Sequence, residues 1–238
     1  MIFHKSGYYF IALLLLAVIG FWNSYFSTLF SGTDGFLHFS EINNYVHFHA
    51  VTMLLWIGML ITQSFLIRFN KRSLHKFVGK FSYLLVPVLV VSLILLAHSQ
   101  ITIYEYGISY GRQYILFLQL SLLSIFVIAY GLAIANRHTP ARHARYMIGT
   151  ALTMIDPAVA RIPLDLPPLP FSYQVWTFGL TDLILIVLIF LERNHKRGRE
   201  VFPIMLGVFL LFQGFNLTAT RSLIWDNFSL WFARLPLT

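Results

Sequence analysis

The 238-residue sequence has no cysteine, which excludes a disulfide framework, an iron–sulfur cluster and a thiolate metal site. Charge is also scarce. Only 11% of the residues are charged and nine of them acidic, while 58% are hydrophobic, too little polar surface to cover a soluble domain of this length. There is no phosphate-binding glycine loop, no Gly-x-Ser-x-Gly elbow and no His-Glu-x-x-His pair, so the common soluble-enzyme chemistries have no foothold. Every lysine lies at an edge of a hydrophobic segment, which removes a retinal-type Schiff base inside a bundle. No internal repeat or low-complexity stretch stands out, and the loops are too short for an additional soluble domain.

What remains is a succession of apolar runs. A hydrocarbon core about 30 Å thick requires roughly 20 apolar residues of helix, the open segment that satisfies its own backbone there. Seven runs meet that length: approximately Tyr8–Leu29, Tyr45–Leu66, Phe77–His98, Tyr114–Ala135, Arg142–Arg161, Val175–Glu192 and Val201–Trp225. The expected architecture is all-α, a polytopic transmembrane bundle of seven helices forming one domain over 1–238. The first run resembles the apolar core of a signal peptide, but no small-residue cleavage motif follows it before Asp34, so a permanent helix is expected.

Orientation follows from the basic residues of the short loops, because cations are retained on the cytoplasmic side during insertion. With the N-terminus inside, Lys5, Arg68, Lys71, Arg72, Lys76, Lys80, Arg137, Arg142, Arg145, Arg193, Lys196, Arg197 and Arg199 are cytoplasmic, and Arg112, Arg161, Arg221 and Arg234 are not. The C-terminus is then outside. The net charge of +8 becomes a property of one face, suited to anionic lipid heads rather than to nucleic acid. The run from Glu192 to Glu200 reads as a solvated loop on that face. On the other side, the four prolines between Ile162 and Pro170 forbid regular helix and favour a stiff extended connection.

Ionisable groups in hydrocarbon are expensive and normally face the bundle or a wet cavity, so Asp156 and Asp182 are informative. Counted at about 1.5 Å per residue from the outer boundary, each lies roughly 10 Å deep. Arg161 and Arg221 end the fifth and seventh runs on that side, giving either an Asp–Arg lock between helices or a ligand or proton site. In the second run, His49, Thr52, Trp56, Met59 and Gln63 recur at three- and four-residue intervals and share one face. His47 falls with Val51, Leu54 and Gly58, where the glycine would permit close helix contact. Gln213, Asn216 and Thr220 form a similar polar face in the last run, with Gly207 and Gly214 allowing close approach.

Four histidine positions pair by depth. His49 and His98 lie toward the outer side, His75 and His143 at the cytoplasmic boundary, an arrangement that two b hemes of a transmembrane electron carrier would require. Interfacial histidines beside Lys and Arg also contact lipid phosphate, so a structural role stays open. His4, His38, His138 and His195 have neither spacing nor depth to recommend them.

The segment from His47 to Trp56, followed by Gln63, Leu74–His75–Lys76 and Gly79, resembles a widespread group of uncharacterised bacterial multi-pass membrane proteins. His98, the stretch His143 to Met147 continuing to Pro157 and Arg161, and Arg221, Trp225 and Trp231 extend the likeness. The resemblance implies a bacterial inner-membrane location and supplies no reaction, but it favours His47, His49, His75, His98, His143 and Arg161 over other candidates. In layout alone, the paired histidines are similar to membrane cytochromes of the b561 type.

Two other classes compete. A zinc-dependent intramembrane hydrolase, resembling the adiponectin-receptor and ceramidase group, would take His49, His98, Asp156 and Asp182 as ligands with one position open for water. A non-catalytic scaffold or accessory subunit would use the same polar groups to lock helices, within a homo-oligomer or larger membrane complex. Aromatic residues make up 17% of the chain and crowd near segment ends, which suits interfacial anchoring. The expected site is an outward-facing polar pocket of His49, His98, Asp156, Arg161, Asp182 and Arg221, holding heme b, zinc or a small ligand.

Overall fold

A computed structural model describes residues 6–30, 42–104, 107–162 and 173–238, and every regular element among them is a helix. In order these are α1 (Ser6–Gly20), α2 (Ser27–Phe30), α3 (Asn44–Arg68), α4 (Arg72–Gly79), α5 (Ser82–Ser99) and α6 (Tyr110–Ala135). They continue with α7 (Pro140–Leu152), α8 (Ile155–Val159), α9 (Tyr173–Glu192), α10 (Val201–Thr218) and α11 (Leu223–Ala233). Among the described residues, five stretches are long and apolar enough to cross a membrane: Asn44–Arg68, Arg72–Ser99, Tyr110–Ala135, Gln174–Glu192 and Val201–Arg221. The pair α1 and Trp22–Phe30, bent by 56°, makes a sixth if taken as one span. The chain is thus built as a multi-pass membrane protein.

Three expected spans are interrupted: Phe77–His98 has a turn at Lys80–Phe81 between α4 and α5, and the first and fifth are broken too. The first changes from α-helix to a π turn at Trp22–Phe26, closed by Phe26 N–H donating to the Phe21 carbonyl at 3.2 Å. Gly20 lies against α8 there so closely that a Cβ would stand 2.2 Å from the Ala158 carbonyl oxygen. Only glycine admits that approach. The fifth expected span, Arg142–Arg161, is two helices with a turn at Thr153–Met154. Pro157 explains it: the ring would collide with the Thr153 carbonyl four residues earlier and has no N–H to offer it, whereas a proline is tolerated in the first turn of a new helix.

The seventh span also ends early. A 3₁₀ turn at Ala219–Arg221 closes α10, Ser222 takes an extended conformation, and its Oγ caps the Trp225 amide at 3.3 Å to open α11. Trp225, expected at the end of a span, therefore belongs to a separate helix. The proline-rich connection lies, beyond Ile162, outside the described residues, as do His4 and His38.

The chain divides into two compact units, residues 1–89 with 151–183 and residues 90–150 with 184–238. In the first, α1 packs on α3 and α8. The buried side of α3 carries Thr52, Trp56, Ile57, Leu60 and Gln63, so the polar stripe seen in the sequence is the inward face. In the second, α6 packs on α10 and α11, and Leu116 with Ala97 and Phe232 makes a small core. Gln213 and Asn216 on α10 and Thr220 in the 3₁₀ turn that follows are all buried, as their spacing predicts. Among the described residues, no packing neighbour lies within 4 Å of a Cβ placed on Gly58, Gly207 or Gly214, so the close contacts expected at these glycines are not seen there; Gly20 and Gly149 supply them instead.

Candidate functional site

In the first unit the polar groups gather where α8 begins. Asp156, in the first turn of α8, is 3% exposed and accepts a hydrogen bond from Gln174 Nε2 at its Oδ1 (2.9 Å). The same Gln174 nitrogen donates to Thr177 Oγ1 at 2.9 Å, while Asp156 Oδ2 is buried with no hydrogen-bond partner. The break imposed by Pro157 creates this site, because it re-aims the chain just before the carboxylate.

Arg161 acts electrostatically on both Asp156 and His49, which brings three residues expected in one pocket into one neighbourhood. Its guanidinium donates to the Pro157 carbonyl at 2.8 Å and lies 4.5 Å from the centroid of the Phe21 ring, a cation–π contact. His49 and Asp182 are half-buried, on α3 and α9. His47, expected on an apolar face, is held by Tyr25, whose hydroxyl lies 3.0 Å from its Nδ1. His75 is half-buried on α4.

The second unit contains His98, His143 and Arg221. His98 ends α5 and is 7% exposed. Its Nδ1 lies 2.6 Å from Thr238 Oγ1, its ring packs edge-on against Phe232, and its Nε2 is buried with no hydrogen-bond partner. His143, on α7, has Nδ1 2.8 Å from the Ala133 carbonyl. The carbonyl, which can only accept, puts the proton of His143 on Nδ1, and the Thr238 hydroxyl orients the His98 ring, as partners do in histidines that ligate metals.

Arg221 is on a cavity of about 470 Å³ lined also by Tyr110, Gln113, Thr220, Ser222, Leu223 and Asp226, and His98 is not among the lining residues. The guanidinium sits 5.4 Å from the Tyr110 ring centroid. Asp226 Oδ1 accepts from Gln113 Nε2 at 2.5 Å, and the Gln113 carbonyl accepts from Trp225 Nε1 at 3.0 Å. Gln113, Tyr110 and Asp226 carry no signal in the apolar pattern, because each falls just beyond the end of an apolar run.

A second polar centre of this unit also escaped the sequence. Arg145 and Glu192, expected at a solvated boundary, are both 1% exposed and paired through Glu192 Oε2, with Arg145 Nη1 donating to the Ala141 carbonyl at 2.6 Å. Gly198, at φ +80°, closes the loop over this pair, since a Cβ there would meet Arg145 Nη1 at 2.7 Å. Arg193, His195, Lys196, Arg197 and Arg199 remain exposed around it.

Among the described residues no group of three or more His, Asp or Glu side chains is disposed to hold a metal ion. The zinc set His49, His98, Asp156 and Asp182 is therefore not assembled as such a group. No family model matches the chain, and no curated protein and no solved structure matches it.

Proposed function

We propose that this chain is a bacterial inner-membrane protein with its N-terminus cytoplasmic, crossing seven times, in which His98 ligates a heme b that carries electrons across the bilayer. The carrying observation is the His98 ring: Nδ1 is anchored on Thr238 while Nε2 is buried and unbonded. Leaving a buried ring nitrogen without a partner costs about 1–3 kcal/mol, a cost that coordination to iron removes. A fifth crossing would run through the broken helix α7–α8, whose turn at Thr153–Met154 is buried within protein.

When bound, a heme supplies one-electron chemistry. The protein's part is to keep the His98 ring oriented through Thr238 and to exclude water around it with Phe232. His143, oriented by the Ala133 carbonyl, is the second residue suited to such a role.

The test is a reduced-minus-oxidised optical spectrum of the purified full chain. A Soret band that is lost in His98→Ala supports the reading; a colourless protein contradicts it. The scaffold reading draws on a different observation, that Gln113–Asp226, Asp156–Gln174 and Arg145–Glu192 are mutually bonded. A protein without cofactor whose stability depends on these pairs would favour that role.

A further inference from the structure

The Arg221 cavity presents two opposite charges that do not neutralise each other. Both side chains line it, yet no ion pair joins Arg221 to Asp226. Asp226 is held in place by Gln113, and Arg221 lies over the Tyr110 ring, so each charge has a fixed seat. A cavity with a seated cation and a separately seated anion is complementary to a ligand bearing both an acid group and an ammonium.

Position narrows the class of ligand. Tyr110 begins one membrane-crossing stretch and Arg221 ends another, so the cavity lies at the level where the apolar spans stop. The helix that walls it, α11, buries Ser229 and Phe232 but leaves Leu223 81% and Ile224 83% exposed, with Trp231 also outside. Apolar groups at such exposure beside a polar cavity match a molecule that is charged at one end and hydrocarbon at the other.

We propose that this cavity binds the headgroup of a zwitterionic, primary-amine phospholipid, with phosphate on Arg221, ammonium on Asp226 and acyl chains along Leu223 and Ile224. The cavity shares no lining residue with the heme reading, and the assignment is independent of it. Phosphate is recognised by the guanidinium fork, and a primary ammonium donates to the Asp226 carboxylate, charge-assisted bonds of the strong kind.

The experiment is native mass spectrometry of the full chain in micelles containing equal amounts of dioleoyl phosphatidylethanolamine, phosphatidylglycerol and phosphatidylcholine. The wild-type protein is expected to retain phosphatidylethanolamine about tenfold over the other two, the ratio that about 1.4 kcal/mol of headgroup recognition gives. Asp226→Asn should abolish the preference over phosphatidylglycerol, and Arg221→Gln should weaken retention of all three. Equal retention by the wild-type protein, or an unchanged preference in Asp226→Asn, overturns the proposal. The comparison with phosphatidylcholine, whose ammonium has no N–H, is made on the wild-type protein and so decides the matter even if a variant does not fold. Displacement of the lipid by an equal concentration of free phosphoethanolamine would overturn the lipid assignment.

Discussion

Arg145 and Glu192, 47 residues apart, form an ion pair in which both side chains are almost wholly withdrawn from solvent. Removing one member of a buried pair strands the other charge, at about 3–5 kcal/mol, whereas replacing both with apolar residues of similar volume is far milder. Glu192→Ala is therefore expected to lower the melting temperature in detergent sharply, and the double variant Arg145→Met, Glu192→Leu to recover most of the loss. Differential scanning fluorimetry of the single and double variants checks this; equal losses would show that the charges do not depend on one another.

Contact between α1 and α8 depends on one missing methyl group. Gly20→Ala would place Cβ 2.2 Å from the Ala158 carbonyl oxygen, and the backbone on either side has to move. A loss of about 1–3 kcal/mol is expected, the usual cost of overpacking. Gly58→Ala, where nothing lies within 4 Å, is the matched control and should leave stability unchanged or slightly higher. Thermal melts of the two variants side by side provide the measurement.

A third expectation concerns pH. Glu200, just ahead of α10, has its carboxyl held below the usual range by its backbone amide and by the Arg142 guanidinium, which it meets at 2.6 Å. A depressed carboxyl stabilises the fold above its unfolded-state value, about 4.3, and the contribution fades as pH falls through the lower, folded-state value. Both side chains are partly exposed, at 49% and 40%, so the effect is small, about 0.5 kcal/mol. Glu200→Gln should cost that amount at pH 7 and nothing once the wild-type carboxyl is protonated. A constant difference across an acid titration would contradict the assignment.

Much of the helical layout is legible in the sequence because apolar length is a strong signal. The run expected at Tyr45–Leu66 is the helix Asn44–Arg68, and its His49–Gln63 stripe turns Thr52, Trp56 and Gln63 inward. Breaks are less visible. Pro157 signals one, but the π turn after Gly20 adjoins a close approach to Ala158, distant in sequence. The same limit applies to the polar centres. Asp156 and Arg161 stand out as charges in apolar surroundings, whereas Gln174, Gln113 and Asp226 gain their roles only through partners that folding brings near. Arg145 and Glu192 look like ordinary boundary charges until the loop carrying Gly198 folds over them.

The central claim concerns the unbonded ring nitrogen of His98, and heme content per chain across three proteins tests it most directly. The wild-type protein, reconstituted with hemin and assayed as its pyridine hemochrome, should hold heme in stoichiometric proportion. His98→Ala should bind none at the corresponding position. Thr238→Val, which frees Nδ1 while keeping the ligand, should weaken heme affinity about 10–100-fold without abolishing it. Heme content unaffected by His98→Ala, or no binding by the wild-type chain, would contradict the account.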